Sequence, residues 1–168
     1  VQLPENLDEI VSNIQMPIVS PVALEAYRQR YTALFSVDML KGKRIGIYEH
    51  SSVARDVLQD LMAYFGAEVV SLERTDYFVP IDTEAVSEID KEKAKNWAKK
   101  YKLDAIISTD GDGDRPLISD ERGQWLRGDV LGVLCVNYLS ATHVAAPINV
   151  NSMLEASSKR ELICTRTC

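Results

Sequence analysis

The run Asp110-Gly111-Asp112-Gly113-Asp114-Arg115 combines charge and spacing in a way that implies metal chemistry. Its three carboxylates at alternate positions are hard oxygen donors of the kind that bind Mg²⁺ or Ca²⁺. Fully extended, Asp110 and Asp114 would stand ~13 Å apart at about 3.3 Å per residue, whereas Mg²⁺ takes its oxygens at roughly 2.1 Å. The run must therefore curl. Gly111 and Gly113 allow this, because glycine alone reaches positive φ without steric cost and puts no side chain between the carboxylates. Three anions drawn together repel one another and raise their own pKa values unless a cation sits among them. Arg115 is placed either to bind two oxygens of a phosphate that bridges to the ion or to form a structural salt bridge. Metal, arginine and carboxylates together point to phosphoryl transfer, in which catalysis is mostly positioning and charge neutralisation.

Two other readings compete. Asp and Gly are turn formers, so an acidic turn without a ligand is one. A calcium loop is the other: Asp110, Asp112 and Asp114 match its spacing, and Glu121 would supply the closing carboxylate. The calcium loop needs glycine where Arg115 stands, however, and the residues before it should be helical rather than β-like.

A sheet edge must hold such a loop. Arg44-Ile45-Gly46-Ile47-Tyr48 reads as a strand, and a helix runs on through Leu58, Leu61, Met62 and Phe65 until Gly66 stops it. Ser51 and Ser52 read as caps of that helix, and His50 as an exposed or capping side chain, with a place at a cleft mouth as the alternative. Residues 67–72 give a second strand. A helix with Ile89, Ala94, Trp97, Ala98 and Tyr101 leads to a third strand over 104–108. This alternation predicts right-handed crossovers in a parallel sheet, with the acidic run just past the carboxyl end of a strand, where ligands bind in such sheets. Residues 116–119 and 124–127 read as a hairpin that adds an antiparallel edge. Asp129 is expected to cap a helix over 130–140, 143–147 to form a strand, and 149–168 to hold a short helix and a β run over 162–165. The fold class is α/β, a three-layer α/β/α domain with a mixed, mostly parallel sheet.

Upstream, Leu7, Ile10, Val11 and Ile14 recur at helical spacing. Ser20 and Pro21 then open a helix whose stripe of Leu24, Tyr27, Tyr31, Leu34 and Phe35 reads as core. The organisation expected is residues 1–19 as the tail of an upstream domain or a connecting helix, 20–147 as the metal-binding domain, and 148–168 as the beginning of the next.

At 168 residues the chain has length for one well-buried core, and its 46% hydrophobic and 26% charged residues are ordinary for a globular domain. No apolar run approaches the ~20 residues that span a bilayer, so no membrane partner is expected. A net charge of −6 argues against nucleic acid, and the basic run over 91–102 alternates with apolar residues as a solvated helix face does. Val1 to Ile10 lacks the pattern of a signal peptide. Cys135, Cys164 and Cys168 make no disulfide framework, which implies a reducing, cytoplasmic compartment. No further pair completes a zinc site around Cys164 and Cys168.

The segment from Ser108 to Leu117, supported by Gly123, the Arg127-Gly128-Asp129 turn and the residues from Pro147 to Thr165, resembles the α-D-phosphohexomutase family. The resemblance covers about the second of that family's four domains. It implies that Asp110, Asp112 and Asp114 bind Mg²⁺ together with a phosphate oxygen of a phosphoserine from the first domain, with Arg115 neutralising phosphate. It further implies that the phosphoserine donates to a hexose monophosphate, mannose or glucose phosphate, and recovers phosphate from the other end of the bisphosphate. The flanking sequence favours mannose phosphate. The Ser-His-Asn-Pro motif that carries such a serine does not occur here, so the chain alone is expected to be inactive and to need the missing domains of its own polypeptide. The alternative from a different class is a non-catalytic divalent-cation module that docks on a partner.

Overall fold

The computed structural model describes residues 18, 20–148, 150, 152–156 and 161–165. The helical spacing over residues 7–14 and the position of Cys168 lie outside the described residues. The chain divides into two units, Val1–Leu34 and Phe35–Cys168.

In the first unit, α1 spans Val22–Thr32 and buries none of its residues. Pro21 is its N-cap, and Ser20 Oγ only accepts a long 3.4 Å bond from Val22 N–H. The apolar stripe read as core is broken: Leu24 and Tyr27 are exposed, and the helix ends before Leu34 and Phe35 can join its face. Phe35, in the second unit, turns its ring toward Phe65 and Tyr138.

The second unit is built on a four-stranded sheet in the order β2-β1-β3-β4. Here β1 is Arg44–His50, β2 is Glu68–Arg74, β3 is Ala105–Thr109 and β4 is Pro116–Ser119. β1 pairs in parallel with β2 and β3, and β4 lies antiparallel on β3. The mixed sheet is the one expected, except that the partner of β4 shrinks to a single bridge between Ser119 and Trp125, extended by a Leu126 N–H bond to Ile118 O. Gly123, at φ +73°, lies in the turn between them, where a Cβ would stand 2.4 Å from the Ala94 backbone.

Helices α2 (Arg55–Tyr64) and α3 (Glu88–Tyr101) cover opposite faces of this sheet, as right-handed crossovers running in opposite directions, β1 to β2 and β2 to β3, require. Alternation along β1 shows it. Tyr48 and His50 face the α3 side, where Tyr48 joins Leu72, Ala94, Leu103 and Ile106 in a buried cluster packed by Trp97 and Trp125. Glu49 faces α2 and accepts a hydrogen bond from Gln59. α3 is the best-signalled helix: Ser87 Oγ caps Asp90 N–H, acids fill the first turn and lysines the last, and Lys102 closes it in the left-handed conformation. Its basic run is the solvated face expected, with Lys91 and Lys95 paired to Glu88 and Glu92.

The helix α4 (Gly128–Tyr138) starts two residues earlier than expected, with Arg127 as N-cap. Asp129 is therefore no cap but sits in the first turn, where it accepts from Val130 N–H and pairs with Arg127. Strand β5 (His143–Pro147), helix α5 (Met153–Ala156) and strand β6 (Glu161–Thr165) follow. β5 and β6 form a separate parallel pair with its own small core of Val133, Ala146 and Leu154, so the boundary expected at 147/148 falls between two paired strands. Among the described residues no helix is long and apolar enough to cross a membrane.

Candidate metal centre

The chain leaves β1 for β2 on one side and reaches β3 on the other. The crevice between the carboxyl ends of β1 and β3 is therefore the sheet's topological switch point, where ligands bind in open α/β sheets. Two connections border it: residues 51–54 after β1, and the acidic loop after β3.

The loop closes on itself. Asp110 N–H donates to Arg115 O at 3.2 Å, and Arg115 returns its own N–H to Asp110 Oδ1 at 3.3 Å and its Nε–H to Oδ2 at 2.8 Å. Of the two glycines, only Gly113 takes positive φ, at +82°; a side chain there would also press on Ala54. Gly111 serves differently from the expectation: its carbonyl accepts from Val53 N–H at 3.0 Å, and a Cβ on it would crowd the Phe78 ring.

This curl brings one carboxylate oxygen each of Asp110, Asp112 and Asp114 within 4.8 Å of one another, with Asp110 buried and the other two exposed. The donors are all hard oxygens, and neighbouring ligands on an octahedral Mg²⁺ at roughly 2.1 Å stand ~3.0 Å apart, so the three carboxylates would draw closer together on holding one ion. The electrostatics agree. Partial loss of hydration beside its neighbours pushes the Asp114 carboxyl up, and its hydrogen bond to Asp110 and the negative charges of Asp112 and Asp110 push it further. Burial also acts to raise Asp110, but donation from the Arg115 backbone and guanidinium outweighs it and holds that carboxyl at about 2. A divalent cation would relieve the crowding at Asp114 while leaving Asp110 ionised. Glu121, which a calcium loop would need, lies outside this group and pairs with Arg122, and the residues before the loop are strand.

Arg115 contacts the loop through Nε, 3.6 Å from Asp114 as well as bonded to Asp110. Its terminal nitrogens make no hydrogen bond among the described residues, Nη1 stands 3.8 Å from Glu84, and the side chain is 54% exposed. The guanidinium is thus oriented at one edge and open at the other.

Three neighbours escaped the sequence reading. Glu49 and His50 are wholly buried and Ser52 nearly so. His50 is neither exposed nor a cap: its Nε2–H donates to Thr109 O at 2.9 Å. Its ring lines a cavity of about 340 Å³ with Tyr48, Glu73, Tyr77, Phe78 and Lys93, apart from the three aspartates. Ser52 is two residues ahead of the α2 N-cap, Ala54, and bonds to Thr109 instead of acting as that cap. The signal available was the alternation of β1, which continues through Glu49 and His50 but is hidden because the inward residues there are polar.

Comparison with known proteins bears on the same segment. The family model for phosphoglucomutase/phosphomannomutase, alpha/beta/alpha domain II, matches residues 25–123. The chain is 60% identical over 140 residues to a phosphomannomutase of Salmonella muenchen, covering 83% of this chain and 29% of that protein. To a phosphomannomutase of Sinorhizobium fredii (strain NBRC 101917 / NGR234) it is 47% identical over 147 residues, covering 88% and 31%. A crystal structure of a phosphoglucomutase/phosphomannomutase family protein from Burkholderia thailandensis superposes with a TM-score of 0.65 at 15% identity, over 86% of this chain and 33% of that one, a likeness of fold. The chain thus spans about a third of the length of these relatives. Because the matched segment includes the whole of the principal sheet and of the acidic loop, the chain belongs to the phosphoglucomutase/phosphomannomutase family.

Proposed function

We propose that this chain is the Mg²⁺-binding domain of an intramolecular phosphotransferase that interconverts hexose 6-phosphate and hexose 1-phosphate. Mannose phosphate is the substrate favoured, on the strength of the identity to two phosphomannomutases. The observation that carries the proposal is the convergence of Asp110, Asp112 and Asp114 beside Arg115 at the switch point of the sheet.

In this reading the three aspartates hold the ion. When bound, Mg²⁺ polarises a phosphoryl oxygen and offsets the charge that develops on it. Arg115 contributes the second positive charge. Asp110 grips its Nε, which aims the free terminal nitrogens outward as a fork for two phosphate oxygens. Asp110 stays ionised throughout, so it keeps both the arginine and its place in the donor set. The phosphoserine and the sugar-contacting loops belong to the remainder of the polypeptide, and this chain alone does not turn over substrate.

The test is made on the full-length protein, converting mannose 1-phosphate to mannose 6-phosphate. The rate is expected to depend on Mg²⁺, to vanish with chelator and to fall about 100-fold or more in Asp112→Ala, while the isolated chain is silent. An Asp112→Ala enzyme with an undiminished rate contradicts the proposal. Divalent-ion binding without any mutase activity in the full-length protein favours the docking-module alternative.

A further inference from the structure

The acidic loop is not shaped by its own residues alone. The connection after β1 braces it across the crevice: His50 Nε2–H to Thr109 O, Val53 N–H to Gly111 O, and Ser52 Oγ 2.7 Å from Thr109 Oγ1. The direction of the last bond follows from its neighbours. The Thr109 hydroxyl has one proton, and it goes to the Asp110 carbonyl oxygen 2.8 Å away. Ser52 must therefore be the donor to Thr109, and the Ser52 oxygen in turn accepts from Ala54 N–H at 3.1 Å. The result is a chain of bonds pointing one way, from Ala54 N–H through Ser52 and Thr109 to the Asp110 carbonyl. Ser52, Thr109 and Asp110 are 2%, 7% and 4% exposed, so water has little access to replace a missing partner.

We infer that Ser52 is a positioning residue for the metal loop: its hydroxyl, working through Thr109, fixes the peptide from which the Asp110 carboxylate projects. This rests on reading the acidic loop as a cation site. Hydrogen bonds in series polarise one another, so deleting either hydroxyl disables the whole chain rather than one link. Replacing groups that orient metal ligands from behind typically costs about 10- to 100-fold in metal affinity. A role confined to starting α2 would change the stability of the fold but not the affinity of the folded protein for an ion.

The experiment titrates this chain with Mn²⁺, following free Mn²⁺ by electron paramagnetic resonance, alongside thermal unfolding without metal. Ser52→Ala is expected to weaken binding about tenfold, Thr109→Val by a similar factor, and the double variant no more than the worse single variant to within a factor of about 2. Thr109→Ser, which keeps the hydroxyl, is expected to bind like the parent. If Ser52→Ala does not fold, Thr109→Val against Thr109→Ser makes the same test from the other end of the relay. A folded Ser52→Ala or Thr109→Val with parental affinity, or losses that multiply in the double variant, overturns the inference. Asp112→Ala separates the two ideas. If it loses Mn²⁺ while Ser52→Ala does not, only the role of Ser52 fails; if it binds like the parent, the reading of the loop fails first.

Discussion

His50 is sealed in the fold with Nε2–H committed to the Thr109 carbonyl. Burial lowers its pKa most strongly; the carbonyl and the charges of Asp90 and Asp110 act against that, while Arg55 adds to it. The sign of the consequence is fixed. A histidine kept neutral by folding is matched, below its unfolded pKa of about 6.5, by an unfolded chain that binds the extra proton, so stability is full above that pH and drains away as pH falls through it. Denaturant unfolding between pH 7.5 and 5 is expected to show this slope, and His50→Asn to flatten it. The depressed carboxyl of Asp110 adds a separate loss nearer pH 4 to 2, outside that window. A slope unchanged in His50→Asn would place the acid sensitivity elsewhere.

Elements meet at the carboxyl end of the sheet through few, specific contacts. Glu49, at the end of β1, has no exposed side-chain surface and accepts from Gln59 of α2 and from Arg74 at the end of β2; Arg74 also reaches Asp56. Removing one partner of a buried ion pair costs about 3–5 kcal/mol, but Arg74 is 42% exposed and Gln59 remains. Arg74→Ala is therefore expected to lower the urea midpoint by less than the loss of a wholly buried pair would, with Glu49→Gln in the same chain restoring part of it. Gly123 joins β4 to α3 more tightly: a Cβ would stand 2.4 Å from the Ala94 carbonyl group, at a φ of +73°. Overpacking and left-handed strain together predict a loss of about 3 kcal/mol for Gly123→Ala, read the same way. These contacts mark where the sequence was legible. Every strand and helix of the principal sheet was read from apolar alternation, caps and turn residues, since each acts within one element. The far end of β1 was not, because Glu49, His50 and Ser52 are buried by partners 10 to 59 residues away that no local pattern reveals. The stripe on α1 erred the opposite way, since helical spacing marks a face without saying whether anything covers it.

At the scale of the whole molecule, chemistry and specificity part company. The acidic loop could be read directly because three carboxylates and two glycines in one short run leave few physical alternatives. The sugar could not, because this chain spans only 29% and 31% of the two phosphomannomutases it matches. The proposed function depends on convergence of the three aspartates around one ion. Crystals of this chain grown in millimolar Mn²⁺ and measured at an anomalous wavelength test that most directly. A single strong peak is expected within coordinating distance, roughly 2.1 Å, of oxygens from Asp110, Asp112 and Asp114. No peak at the loop, or a peak held by other residues while these three carboxylates point apart, would contradict it.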